Sequence, residues 1–233
     1  GSTADKIFCV MEYADFELKA LLCDTFYNPK SHTTPKHLFN LSQIKSLFHQ
    51  LLKGVDFIHN NWVIHRDLKT SNLLYTKKGV LKIADFGLAR KYGNPLKPYT
   101  PLVVTLWYRA PELLLNCEKY GTAIDMWSCG CILAELFLKE PLFEGQDEID
   151  QLHKIFKIMG TPEEKTWPGW SQLPNAKRIN FSKYYQSEAL REKFPKFSVE
   201  DDFVLTDKGF DLLKRLLAYD PDKRLSAADA LRH

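Results

Sequence analysis

The sequence predicts a mainly α-helical unit with a few short β-strands, and three observations carry that prediction. Ser42 to His59 sets Ile44, Leu47, Phe48, Leu51, Leu52, Val55 and Ile58 at helical spacing, which is the pattern of a helix with one buried face. Thr122 to Leu138 is apolar almost throughout, as expected of a central helix buried on all sides, with Trp127 in its core. The β-type runs are short: Val63-Ile64, Leu73 to Tyr75 and Val80 to Ile83.

The remaining elements follow in chain order. Ile7 to Tyr13 is a short apolar run and reads as a strand, and Phe16 to Cys23 then turns helical. Asp24 to Asn40 contains Asn28, Pro29 and Pro35 and reads as a loop. Ser42 is the expected cap of the helix that follows. Lys77-Lys78-Gly79 is a hairpin turn. From Gly87 to Ala110 the chain loses periodicity and carries Gly93, Pro95, Pro98 and Pro101; a loop of that length is expected to be functional. Asp147 to Met159 is an amphipathic helix, and residues 160–205 are an irregular insert. Thr206 to Leu217 and Ser226 to Leu231 close the chain as helices capped by Thr206 and Ser226.

Composition excludes several classes of function. The 233 residues are 45% hydrophobic and 26% charged, within the globular range. A net charge of +3 is too small to argue for direct nucleic-acid binding. No apolar run approaches the roughly 20 residues of a membrane span, and the polar start shows no signal-peptide pattern. Five cysteines occur without a Cys-x-x-Cys pair, which fits free thiols in a reducing compartment.

The chemistry lies in three words: His65-Arg66-Asp67-Leu68-Lys69-Thr70-Ser71-Asn72, then Asp85-Phe86-Gly87, then Ala110-Pro111-Glu112. Each alone is weak. In this order they place a carboxylate, an amine and an amide in one loop, with a second carboxylate just downstream. The set resembles the eukaryotic protein kinases, in which phosphoryl transfer depends on positioning and charge neutralisation. The resemblance implies ATP and Mg2+ as cofactors. It makes Asp67 the catalytic base, Lys69 the partner of the transferring phosphate, and Asn72 and Asp85 the magnesium ligands. Thr105 would bridge the substrate platform to Asp67 and Lys69. Met11 would gate the adenine pocket, Glu12 and Ala14 would offer backbone groups to adenine, and Leu74 would form the floor, with Ala84 just before Asp85. Glu17 falls near the ribose, where related kinases often carry Asp. Glu112 and Arg224 resemble a buried structural pair, Asp125 an anchor for the catalytic loop, and His65 a packed core residue.

Val103-Val104-Thr105-Leu106-Trp107-Tyr108-Arg109, Glu148-Ile149-Asp150-Gln151-Leu152, Gly160-Thr161-Pro162 and Trp167-Pro168-Gly169 are similar to the cyclin-dependent kinases. Asn61-Trp62, Lys69-Thr70-Ser71-Asn72, Tyr92 to Lys97 and Thr100 to Thr105 resemble the PITSLRE type, with the cyclin-M partner kinase as an alternative. This implies a Ser/Thr kinase whose activating phosphorylation falls on Thr100, clamped by Arg66 and Arg90. Val103, Val104 and Arg109 match positions that favour proline after the target residue, so the partners implied are Ser/Thr-Pro substrates and a cyclin, of the L type. The location implied is the nucleus, with the cytoplasm as a second site.

No Gly-rich loop or Val-Ala-Ile-Lys-type strand precedes Met11. The expected fold class is therefore a protein-kinase-like carboxy-terminal lobe with its amino-terminal lobe largely absent. Residues 1–13 would be the last strands of that missing lobe and the start of the hinge. Residues 14–233 would be the carboxy-terminal lobe, with the activation segment at 85–112. Such a chain alone is expected to have negligible activity. The non-enzyme alternative is a pseudokinase or scaffold, against which intact Asp67, Lys69, Asn72 and Asp85 argue.

Overall fold

The computed structural model describes residues 8, 10–24, 39–92, 105–179, 189–194 and 204–233. Helix α2 (Leu41–Asn60) organises the first half. Its seven predicted apolar positions are all buried, joined by His59. The cap is Asn40 rather than Ser42: the Asn40 side chain accepts the Gln43 amide at 2.9 Å, and the Gln43 side chain accepts the Asn40 amide at 2.9 Å. This reciprocal box satisfies two donors that a helix start leaves open.

Helix α4 (Ala123–Leu138) is buried from Ile124 to Leu136. The predicted amphipathic helix is α5 (Glu148–Met159), capped by Asp147, whose side chain accepts the Ile149 and Asp150 amides. Two further helices, α7 (Asp207–Leu216) and α8 (Ala227–Arg232), are capped by Thr206 and Ser226 as expected. Gly130 shows why α4 tolerates a glycine in mid-helix. A Cβ there would lie 2.7 Å from the Leu217 side chain at the end of α7, so the two segments approach as closely as the backbone allows. Around Trp127 an aromatic core gathers Phe143 at 5.9 Å and Tyr219 at 6.2 Å, and Trp167 stacks on Tyr219 at 6.0 Å.

The β-structure is where expectation and observation part. Of the predicted strand Ile7 to Tyr13, Ile7 and Cys9 lie outside the described residues, the rest forms no regular element, and Val10, Met11 and Tyr13 are exposed. The strand is β1 (Phe16–Glu17), and helix α1 begins only at Leu18 (Leu18–Asp24). β1 pairs antiparallel with β3 (Leu73–Tyr75), which pairs with β4 (Leu81–Ile83). The predicted hairpin turn joins β3 to β4, with Gly79 at φ 79° and its amide bonded to the Thr76 carbonyl at 2.9 Å. A second sheet pairs β2 (Val63–Ile64) with β5 (Arg90–Lys91), a strand two residues long that no periodicity marks. Helices α3 (Pro111–Leu114) and α6 (Ala189–Lys193) are likewise too short to show a period. The described residues thus carry five strands in two antiparallel sheets beside their helices. Both sheets hold the loop between β2 and β3, so the expectation of a mainly α lobe with incidental strands is corrected. Among the described residues no helix is long and apolar enough to cross a membrane.

Candidate active site

The loop from His65 to Asn72 is suspended from α4 by one carboxylate. Asp125 sits in the first turn of α4, fully buried. Its Oδ2 accepts the His65 amide at 2.9 Å and faces His59 Nε2 at 2.9 Å, while its Oδ1 accepts the Arg66 amide at 2.8 Å. Arg66 is left-handed at φ 71°, a conformation that costs a non-glycine residue energy, and these bonds hold it there. His65 is buried; its Nδ1 faces the Asp67 amide at 3.3 Å and its Nε2 the Ala84 carbonyl at 3.0 Å, which assigns the ring proton to Nε2. It is a bridge between two backbone segments, not a base.

This scaffold aims the polar groups. Lys69 Nζ lies 2.8 Å from Asp67 Oδ2. The Asn72 amide nitrogen donates to the same oxygen at 3.0 Å and to the Asp67 carbonyl at 2.8 Å. Asp67 Oδ1 takes no hydrogen bond from the described residues and is available to an incoming hydroxyl. Since both Asn72 amide hydrogens are used toward Asp67, its Oδ1 is left for a cation. The Ala84 amide donates to the Asn72 carbonyl at 2.9 Å and so places Asp85 one residue further along. Asp85 is left-handed at φ 60°, and its Oδ1 accepts the Gly87 amide at 3.2 Å. A Cβ at Gly87 would sit 3.0 Å from that oxygen, so glycine suits the position.

Asn72 and Asp85 offer hard oxygen donors, the set that magnesium takes together with phosphate oxygens. Among the described residues no cluster of three His, Cys, Asp or Glu forms a cage for a metal. A magnesium–nucleotide site needs no such cage, so these residues fit it.

At the nucleotide end, Glu17 pairs across the sheet with Leu74, and Leu74 with Lys82. Lys82 Nζ reaches Glu12 Oε1 at 2.8 Å and ties the 10–14 segment to β4. Met11 is exposed, while Ala14 and Ala84 are half-buried. On the substrate side, Arg109 Nη1 lies 3.1 Å from Glu148 Oε1. Thr105 borders a small gap shared with Asp67 but makes no hydrogen bond to Asp67 or Lys69. Arg66 donates to the Leu88 carbonyl at 3.3 Å and lies 5.7 Å from the Tyr120 ring centroid; Arg90 stands opposite Ile64 in the second sheet. Thr100, Val103 and Val104 lie outside the described residues.

Beneath the loop is a group that sequence reading missed. Thr70, Tyr108 and Glu135 converge in the core: Thr70 Oγ1 is 3.1 Å from Glu135 Oε1, Tyr108 OH is 2.7 Å from Glu135 Oε2, and the two hydroxyls are 3.0 Å apart. Burial raises the Glu135 carboxyl above its ordinary range and pushes the Tyr108 hydroxyl far up. No local signal could have found the contact, because Thr70 and Glu135 are 65 residues apart. Glu112 and Arg224 do pair, through two bonds of 2.6 and 2.9 Å. Cys129 and Cys131 are buried, and burial raises both thiols, so neither is a nucleophile.

The sequence model of the family described as "Protein kinase domain" matches residues 2–233. Cyclin-dependent kinase G-2 of Oryza sativa subsp. indica is 56% identical over all of this chain, and the chain spans 31% of its length. Cyclin-dependent kinase 11B of Homo sapiens is 51% identical over all of this chain, which spans 27% of it. The crystal structure of the yeast RNA Pol II CTD kinase CTDK-1 complex contains a chain 43% identical to this one at a TM-score of 0.81. The match covers 95% of this chain and 67% of that one. The domain match runs through nearly the whole chain, which overturns the reading of a carboxy-terminal lobe with its partner lobe largely absent. The chain belongs to the protein kinase domain family, and within it is similar to the cyclin-dependent kinases of the G and 11 (PITSLRE) types.

Proposed function

We propose that this chain is the catalytic domain of a cyclin-dependent Ser/Thr kinase that transfers phosphoryl from MgATP to Ser/Thr-Pro sites. The observation that carries it is the division of labour at Asp67: one carboxylate oxygen is held by Lys69 and Asn72, and the other is open. Asp67 orients the substrate hydroxyl and accepts its proton as the oxygen bonds to the γ-phosphorus and the bond to the nucleoside diphosphate breaks. Lys69, held against Asp67, reaches the transferring phosphate. Asn72 and Asp85 would hold magnesium, which would neutralise charge on the phosphates. Thr105 completes the platform once substrate is seated. Met11 gates the adenine pocket, Glu12 and Ala14 offer backbone groups to the adenine edge, Leu74 is its floor with Ala84 just before Asp85, and Glu17 falls near the ribose.

Arg66 and Arg90 clamp a phosphate on Thr100, and Val103, Val104 and Arg109 form the pocket for proline, which brings no amide hydrogen to satisfy. The partner is a cyclin of the L type, and the location is the nucleus. The chain spans about a third of the two named curated relatives, so these assignments concern the whole protein.

The test is phosphate transfer from ATP to a Ser-Pro peptide by the full-length protein, with and without an L-type cyclin, beside Asp67→Asn. We expect cyclin-dependent transfer that drops by a factor of about 10²–10⁴ in the variant, the usual weight of a general base. Transfer that does not need the cyclin but is lost in Asp67→Asn would leave the kinase and remove the partner. Equal transfer to a Ser-Ala peptide would remove the proline preference.

A further inference from the structure

We propose that Thr70 is a positioning residue for phosphoryl transfer: with Tyr108 and Glu135 it closes a buried ring of three hydrogen bonds that holds the catalytic loop against α4. The proposal rests on the kinase reading above. Its basis is geometry. Thr70 begins the 3-10 turn Thr70–Asn72 directly after Lys69, and Asn72 ends it. The lysine and the amide that hold Asp67 therefore flank the same turn. Thr70 is fully buried, and Tyr108 and Glu135 are 5% and 3% exposed. The turn makes contact with α1, Tyr108 stands at the end of the activation segment, and Glu135 belongs to α4. One small ring thus joins the loop to the substrate platform and the core.

Counting protons sharpens the point. The ring has three short oxygen–oxygen contacts, of 2.7, 3.0 and 3.1 Å. Thr70 and Tyr108 bring one hydroxyl proton each. If Glu135 is ionised, both protons go to its carboxylate and the contact between the two hydroxyls has none. If Glu135 is protonated, each member donates once and accepts once, and all three contacts are hydrogen bonds.

Burial raises the Glu135 carboxyl, while the two hydroxyls and Lys19 of α1 pull it down. Its other titratable neighbour is Cys131, whose buried thiol is raised further by Glu135. The sign follows from the upward shift. The closed ring is complete at low pH, and its third bond is lost as pH rises through the titration of Glu135. A side chain without a hydroxyl at position 70 would leave both Thr70 contacts unmade.

The experiment uses the full-length kinase with its cyclin, and compares wild type with Thr70→Val, Thr70→Ser and Glu135→Gln. At saturating ATP and Ser-Pro peptide, Thr70→Val should lower kcat about tenfold with the KM for ATP unchanged, since the nucleotide edge lies elsewhere. Thr70→Ser should restore most of the loss. The wild-type kcat should fall as pH rises through the Glu135 titration, and Glu135→Gln, which donates and accepts at any pH, should abolish that step. Amide hydrogen exchange over residues 66–72 should be faster in Thr70→Val.

A Thr70→Val kcat equal to wild type, or a Thr70→Ser no better than Thr70→Val, overturns the proposal. Unchanged exchange over residues 66–72 overturns it independently of activity. If Thr70→Val does not fold, Tyr108→Phe removes the other hydroxyl proton and is read in the same way. A wild type as inert as Asp67→Asn would overturn the kinase reading, and the catalytic role of Thr70 with it. An active wild type beside an equally active Thr70→Val overturns the positioning role alone.

Discussion

Buried charges carry the most consequential individual contacts. Arg224 has no side-chain exposure and Glu112 only 2%. The guanidinium holds both carboxylate oxygens, three backbone carbonyls (Ala123, Ala218 and Tyr219), and lies 5.2 Å from the Trp127 ring centroid. Such a pair adds little net stability over apolar packing, but half of it is costly. Glu112→Gln leaves a buried cation without its counter-charge and should cost about 3–5 kcal/mol in urea unfolding. A loss below about 1 kcal/mol would mean that the carbonyls alone satisfy Arg224. Asp125 shows the same economy: one carboxylate takes two backbone amides and faces His59. The family resemblance marked the residue types at these positions, whereas the number and identity of their partners emerged only with the fold.

At the scale of elements, helices proved more legible than strands. The apolar face of α2 was readable because helical spacing repeats over 20 residues. Its cap was not, since Asn40 and Ser42 are both good cap residues and the choice depends on where the chain turns extended; Asn40 has φ −78° and ψ 170°. Asn40→Ala should destabilise by about 1 kcal/mol with little change in cooperativity. A Ser42→Ala loss larger than that of Asn40→Ala would return the cap to Ser42. Strands of two or three residues carry no period, and their existence depends on a partner. Phe16-Glu17 is a strand because Leu74 and Tyr75 lie beside it, while the more apolar 10–14 run has no strand pairing among the described residues and stays irregular.

For the whole molecule, the two sheets and α4 converge on one loop, and that convergence makes the site. β2 enters it and β3 leaves it, while β5 pairs with β2 and sets Arg90 opposite Ile64 just before His65 and Arg66. A phosphate on Thr100 would add about −1.5 to −2 charge to the segment that joins β5 to α3. On the proposed reading, Thr100→Ala in the full-length protein with the proposed cyclin should therefore lower kcat about tenfold or more, with Arg66→Ala and Arg90→Ala non-additive to it. Additive losses, or no loss, would separate the arginines from the threonine.

What the sequence by itself determined is what local pattern can encode. Long helices follow from a repeated spacing, turns from Gly79, and the catalytic words from residue types at 65–72, 85–87 and 110–112, whose order also carries the family. Tertiary structure decided whatever depends on chain segments meeting from afar. It set the strand boundaries, the left-handed backbone at Arg66 and Asp85, the Asp67 oxygen that takes no hydrogen bond from the described residues, and the ring linking Thr70 to Tyr108 and Glu135, 38 and 65 residues away. The reading of a single lobe was removed by the domain match over residues 2–233 and the likeness to a solved kinase, not by any one contact. The physical reason is that backbone periodicity is a property of neighbours in the chain. A buried hydrogen bond belongs to the pair it joins, and a pair exists only once the core has closed around it.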